Sequence, residues 1–122
     1  MVVGTVRIVP TPPRREEVLE VLQSVQGPVR AEAGCVSCDI YEEQGADRAI
    51  VLVERWASEA SLETHLRSEA YRRILCAMEL SGGQPDVRFE SVTASEGIEL
   101  IERSRGRLVQ DAGSLNGRGD KS

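Results

Sequence analysis

One histidine, one tryptophan and two tyrosines are the groups in this sequence best suited to handling an aromatic ligand and its protons. His65 is the only imidazole, and imidazole exchanges its proton near neutral pH, so it is the candidate general base. Trp56 offers a flat apolar wall for a planar ligand, or else serves only as a core anchor. Tyr71 and Tyr41 carry hydroxyls that can bind a substrate oxygen, although each also suits amphipathic packing.

The pair Cys35 and Cys38 matches C-x-x-C, which calls for a separate reading. Redox pairs of this spacing sit at helix N-termini, where the local field favours the thiolate. Here the pair opens a strand-like segment, so alternation predicts that the two side chains point to opposite faces. Metal binding would need further ligands, and Cys76 and His65, the only other thiol and imidazole, both fall on helical segments. The cysteines therefore read as structural, and no metal site is expected.

These residues need elements to position them. Residues 2–9 are rich in β-branched side chains and end at Pro10, which predicts a first strand. Pro12 and Pro13 can open a helix, and Val18, Leu19, Val21, Leu22 and Val25 recur at helical spacing until Gly27-Pro28, where an interruption is expected. Residues 35–43 and 49–56 alternate as strands around a Gly45-containing turn, which predicts an antiparallel hairpin. Ser58 is a candidate N-cap for helix over 59–80, with a break near Ser68 and a buried stripe of Leu62, Leu66, Ile74, Leu75 and Met78. His65 borders that stripe. Residues 87–93 read as a further strand, residues 98–102 as an optional short final one, and residues 104–122 as a flexible tail.

The order β-α-β-β-α-β predicts an α+β domain over residues 1–103, of ferredoxin-like topology. It would form a four-stranded antiparallel sheet with its helices on one face. In the third strand Ile50, Leu52 and Trp56 lie on one face and Val51 and Val53 on the other, so both faces are apolar. The first strand repeats the pattern, with Val6 and Ile8 opposed to Val3 and Val9. A second apolar face points to a homodimer packed sheet against sheet. Residues 98–102 are expected to reach the partner.

A net charge of −5, with arginines scattered among glutamates, disfavours a nucleic-acid partner. No apolar run is long enough to span a membrane, and the N-terminus lacks the pattern of a secretory signal. Three cysteines make an odd set that suits a reducing, cytoplasmic setting rather than a disulfide framework.

Glu54-Arg55-Trp56, followed by Leu62 and His65-Leu66, together with Gly34-Cys35 and Tyr71, resembles the antibiotic-biosynthesis-monooxygenase family over about residues 2–93. The resemblance implies a dimeric α/β barrel and the company of quinol and polyketide oxygenases that need no cofactor, haem-degrading enzymes and small-molecule isomerases. The haem-degrading and aromatic polyketide branches carry an asparagine that holds haem or substrate, on the first strand in the haem enzymes. This first strand has none, and the sole asparagine is Asn116. The expectation is therefore a cofactor-independent monooxygenase of a small quinol-like or phenolic aromatic, with His65 and Trp56 catalytic and Tyr71 and Tyr41 binding substrate. The alternative is a non-catalytic dimeric ligand-binding or interaction module of the same fold.

Overall fold

The computed structural model describes residues 1–106. In chain order they form β1 (Val2–Ile8), a 3-10 turn at Pro12–Arg14, α1 (Arg15–Arg30), β2 (Cys35–Glu42), β3 (Ile50–Trp56), α2 (Glu59–Leu66), α3 (Glu69–Met78), β4 (Asp86–Ser91) and α4 (Ile98–Arg105). The strands form one sheet in the order β2-β3-β1-β4, every pair antiparallel. This is the expected ferredoxin-like α+β arrangement, and its sheet is open, with β2 and β4 at the edges. Residues Met1–Val92 form one compact unit, and α4 belongs to a separate unit that begins at Thr93.

Strand alternation sets the core. Val2, Val6 and Ile8 of β1 and Ile50, Leu52 and Trp56 of β3 are buried on one face, packed with Val18, Leu22, Val25 and Val29 of α1 and Ile74 and Ala77 of α3. Gly4 belongs to the same face. A Cβ there would lie 3.2 Å from the ring of Phe89, so the glycine lets that ring lie close over β1. The opposite face carries Val3, Val51 and Val53, each half-buried, with Tyr41 53% exposed beside Val51.

Four local expectations are corrected. Gly27-Pro28 does not interrupt α1, which continues to Arg30. Proline forfeits the one hydrogen bond its nitrogen would have donated, but Val25 and Val29 are both fully buried one turn apart, and their packing carries the helix across. Residues 98–102 are helical, not a strand. Ile98 and Ile101 recur at helical spacing, and Glu99 in the first turn with Arg103 and Arg105 in the last match the helix dipole. The helix also takes in Ser104 and Arg105, the first residues of the expected tail; residues 107–122 lie outside the described residues. Leu75 is 45% exposed, and its place in the stripe goes to Ala70, Tyr71, Ile74 and Ala77.

The fourth correction concerns the cysteines. A bulge at Val36 shifts the β2–β3 register, so that Cys35 opposes Trp56 while Cys38 opposes Glu54. Both cysteines therefore belong to the helix-covered face. Burial, followed by the charge of Glu54, raises both thiols, Cys38 to about 12. Protonated thiols of this kind are poor nucleophiles and poor metal ligands.

The connection from α1 to β2 closes tightly on α2. Gly34 adopts φ +84°, and a Cβ there would fall 2.0 Å from Ser61 Oγ. Its carbonyl also accepts a 2.8 Å bond from the Ala57 amide. Gly34→Ala should cost about 3 kcal/mol, from the left-handed backbone and the steric conflict together. Urea denaturation checks this, and a loss within error of zero would mean that the turn relaxes freely.

Candidate functional site

The site is built where the C-terminal turn of α2 meets the inner face of β3. Ser58 caps α2, accepting a 3.1 Å bond from the Ser61 amide, and the helix carries His65 inward on the face that also buries Leu62. Ser68 then caps α3, accepting a 3.1 Å bond from the Tyr71 amide, which redirects the chain and turns Tyr71 back toward the imidazole. From the sheet, inward alternation places Glu54 between Leu52 and Trp56. Glu32 comes from the turn after α1.

These side chains converge on His65, which is wholly buried. Its Nδ1 lies 2.9 Å from Glu32 Oε1. Its Nε2 lies 3.0 Å from Glu54 Oε1 and 3.1 Å from Oε2. Ionised carboxylates only accept hydrogen bonds, so this arrangement suits an imidazolium donating from both nitrogens. Trp56 stacks on the imidazole, with ring centroids 4.5 Å apart and planes inclined by 29°. Its Nε1 donates to Glu54 Oε1 at 3.4 Å. Tyr71 meets the imidazole edge-on at 5.3 Å.

The electrostatics follow from that geometry. Burial alone would lower the His65 pKa, but the hydrogen bonds and charges of Glu54 and then Glu32 outweigh it, and the net direction is upward. Burial, reinforced by the Glu54 charge, raises the Tyr71 hydroxyl, which therefore stays a neutral donor.

Three of the four residues singled out by the sequence thus come together: His65, Trp56 and Tyr71. Tyr41 does not. It lies on the other side of the sheet, beside Val51. Sequence reasoning gave no role to the two carboxylates. Glu54 did carry a signal, since a charge at an inward position of the most apolar strand needs a partner. Glu32 sits in a turn, with no periodicity to mark it.

A cleft of about 360 Å³ adjoins the constellation, lined by Glu32, Ala33, Ala60, Ser61, Thr64 and Ser68. Its walls are the α1–β2 turn and α2, which Gly34 holds together. Of the residues that line the cleft, Glu32 is the one whose side chain bonds the His65 ring. Among the described residues no group of three or more histidines, cysteines or carboxylates is arranged to hold a metal. Nor is any helix there long and apolar enough to cross a membrane.

An open ferredoxin-like sheet with a Trp–His–carboxylate cluster on its helix-covered face is the frame of a small α+β enzyme or ligand-binding domain. The family model for antibiotic biosynthesis monooxygenases matches residues 1–75, and the chain belongs to that family. It is 37% identical over 54 residues to YcnE of Bacillus subtilis, covering 44% of this chain and 57% of that protein. It is 37% identical over 65 residues to Rv0793 of Mycobacterium tuberculosis, covering 53% of this chain and 63% of that one. Both are named as candidate monooxygenases. The chain spans between half and two-thirds of the curated relatives it matches. The solved structure of Rv0793 superposes with a TM-score of 0.71 at 29% identity, over 79% of this chain and 98% of that chain. A protein from Deinococcus radiodurans shares the fold at 16% identity, with a TM-score of 0.72 over 80% of this chain and 98% of that one.

The raised His65 pKa makes stability depend on pH. The imidazolium's contribution is fully present below the ordinary imidazole pKa near 6.5 and declines as pH rises through the higher folded value. Chemical denaturation between pH 6 and 9 should show that decline. Glu54→Gln should lose about 3 kcal/mol at pH 6, because it leaves a buried charge without its main partner, and its pH dependence should flatten. A wild-type stability that rises over this range would contradict the imidazolium assignment.

Proposed function

We propose that the protein is a cofactor-independent monooxygenase acting on a small quinol-like or phenolic aromatic. The observation that carries this reading is the enclosed His65, held between Glu54 and Glu32 and stacked on Trp56. A buried ion group of this kind is a poor way to stabilise a core, since apolar residues of similar volume serve as well or better. Such groups concentrate where protons are moved. Family membership and the names of the two relatives support the same class of reaction.

The chemistry requires little of the protein. A phenol that loses its O–H proton becomes an electron-rich anion able to reduce dioxygen. One phenol and one dioxygen give one quinone and one water, and all four electrons that dioxygen takes come from the substrate. No external reductant enters that balance. The protein must accept the proton, hold the anion and exclude water. His65 in its neutral form is the base, Trp56 orders the imidazole from its stacked face, and Tyr71 orders it from the edge. Tyr41, on the other sheet face, can assist only by way of a second subunit.

That second subunit is part of the proposal. Val3, Val51 and Val53 form an apolar strip on the open face, and packing against the same strip of another copy would complete a dimeric barrel. The acidic balance and the absence of a clustered basic stripe argue for a small-molecule partner rather than nucleic acid, and three unpaired thiols suit the cytoplasm.

One observation favours the alternative of a non-catalytic ligand-binding or interaction module: Trp56 and His65 are both fully buried, and neither lines the cleft. Oxygen uptake with a panel of quinols and phenols separates the two readings. Wild-type protein should consume oxygen with at least one of them. Uptake should rise with pH as His65 loses its proton, and His65→Ala or Trp56→Ala should reduce it about 100-fold or more. No uptake with any compound, or uptake indifferent to both substitutions, would leave the module reading in its place.

The dimer is tested separately. Sedimentation of the wild-type chain at micromolar concentration should return the mass of two copies, and Val53→Asp should return one. A monomeric wild type would remove the barrel from the proposal.

A further inference from the structure

The cleft beside Glu32 has a chemistry of its own. Glu32 Oε1 is engaged with His65, while Oε2 has no hydrogen-bond partner among the described residues. In the same lining, Ser61 Oγ receives a 3.1 Å bond from Ser58 Oγ, which leaves its own hydrogen available to donate. Ser68 Oγ accepts from the Tyr71 amide and likewise retains a donor. Thr64 Oγ1 donates to the Ala60 carbonyl at 3.1 Å, so its lone pairs face outward as acceptors. Ala33 and Ala60 supply the apolar remainder. The lining thus offers both donors and acceptors, with one carboxylate and no cation.

The charge balance is one-sided. Glu32, Glu54 and His65 together hold two potential negative charges against at most one positive, so the cleft presents a negative or at best weakly screened field to its occupant. An anionic ligand would meet repulsion from Glu32 at contact distance. A hydroxyl, which donates and accepts at once, suits a lining that holds both kinds of group.

From this we infer that the cleft is the ligand site, that Glu32 is the residue that meets the ligand, and that the site selects uncharged, multiply hydroxylated aromatics over carboxylated ones. The enclosed His65 then acts through Glu32. A ligand O–H gives its proton to Glu32 Oε2, and a turn of the carboxyl group about its Cγ–Cδ bond then carries that proton to Nδ1 of the neutral imidazole, whose Nε2–H points at Glu54. The volume suits one or two rings. Glu32 thereby sets specificity as well as linking cleft to imidazole. The aromatic part of this inference rests on the oxygenase reading, whereas the charge selection does not.

Calorimetric titration of the full chain with resorcinol and with 3-hydroxybenzoate tests it without requiring turnover. These ligands share a ring and a hydroxyl and differ in a hydroxyl against a carboxylate. Resorcinol should bind at least tenfold tighter, and Glu32→Gln should reduce that ratio to within about threefold. Ala60→Lys provides a second variant at an exposed position of α2, where folding is not at risk, and should improve hydroxybenzoate binding fivefold or more. Equal binding of the two ligands, binding of neither at millimolar concentration, or a preference untouched by both substitutions would overturn the inference. Because the readout is binding, a protein that selects resorcinol yet consumes no oxygen would keep this site and lose the oxygenase.

Discussion

An imidazole sealed between two carboxylates is the interaction on which the rest of this structure depends. His65 has no exposed surface, so its charge must be met by neighbours rather than by water. Glu54 can meet it only if β3 keeps its register, and Glu32 only if the α1–β2 turn closes against α2. A strand, a turn and a helix are thereby tied to one ring. Trp56 and Tyr71 enclose it from the stacked and edge directions, which keeps water away and strengthens each ionic contact.

The closing of that turn is a matter of a few atoms. Gly34 gives up its Cβ to let Ser61 approach, and its carbonyl anchors the start of the segment leading into α2. The cleft exists because this junction is tight on the inside and open on the outside. Stability and binding surface therefore share one joint, and they should prove hard to alter independently there.

Much of this was legible beforehand. Alternation in residues 50–56 and helical spacing in residues 18–25 are driven by apolar burial, which leaves a direct trace in sequence; Ser58 announces its cap, and Ser68 marks the break between two helices without showing that it caps the second. The errors have physical causes. Gly27-Pro28 reads as a helix stop locally, but the packing of Val25 and Val29 is a tertiary effect. Residues 98–102 contain both an alternating and a helical pattern, and charge placement decided between them. Leu75 was assigned by residue type when its angular position faced outward. At the site, His65, Trp56 and Tyr71 stood out by scarcity. Glu54 was hidden within a motif quoted for its tryptophan, and Glu32 was invisible because turns carry no period. Tyr41 was chosen for its chemistry, without regard to the face its strand position dictated.

The bulge at Val36 has an evolutionary consequence. It acts as a phase adjuster: one additional residue in β2 rotates everything upstream by half a pleat relative to everything downstream. Cys35 turns inward because of it, and so does the path of the chain arriving from Glu32 and Gly34. A longer or shorter Gly45 loop would leave the inner face in place, because it lies downstream of the bulge at the far end of the hairpin. A single-residue deletion between Cys35 and Cys38 would instead swing the Glu32 turn away from α2. Indels in this hairpin should therefore be frequent at one end and absent from the other.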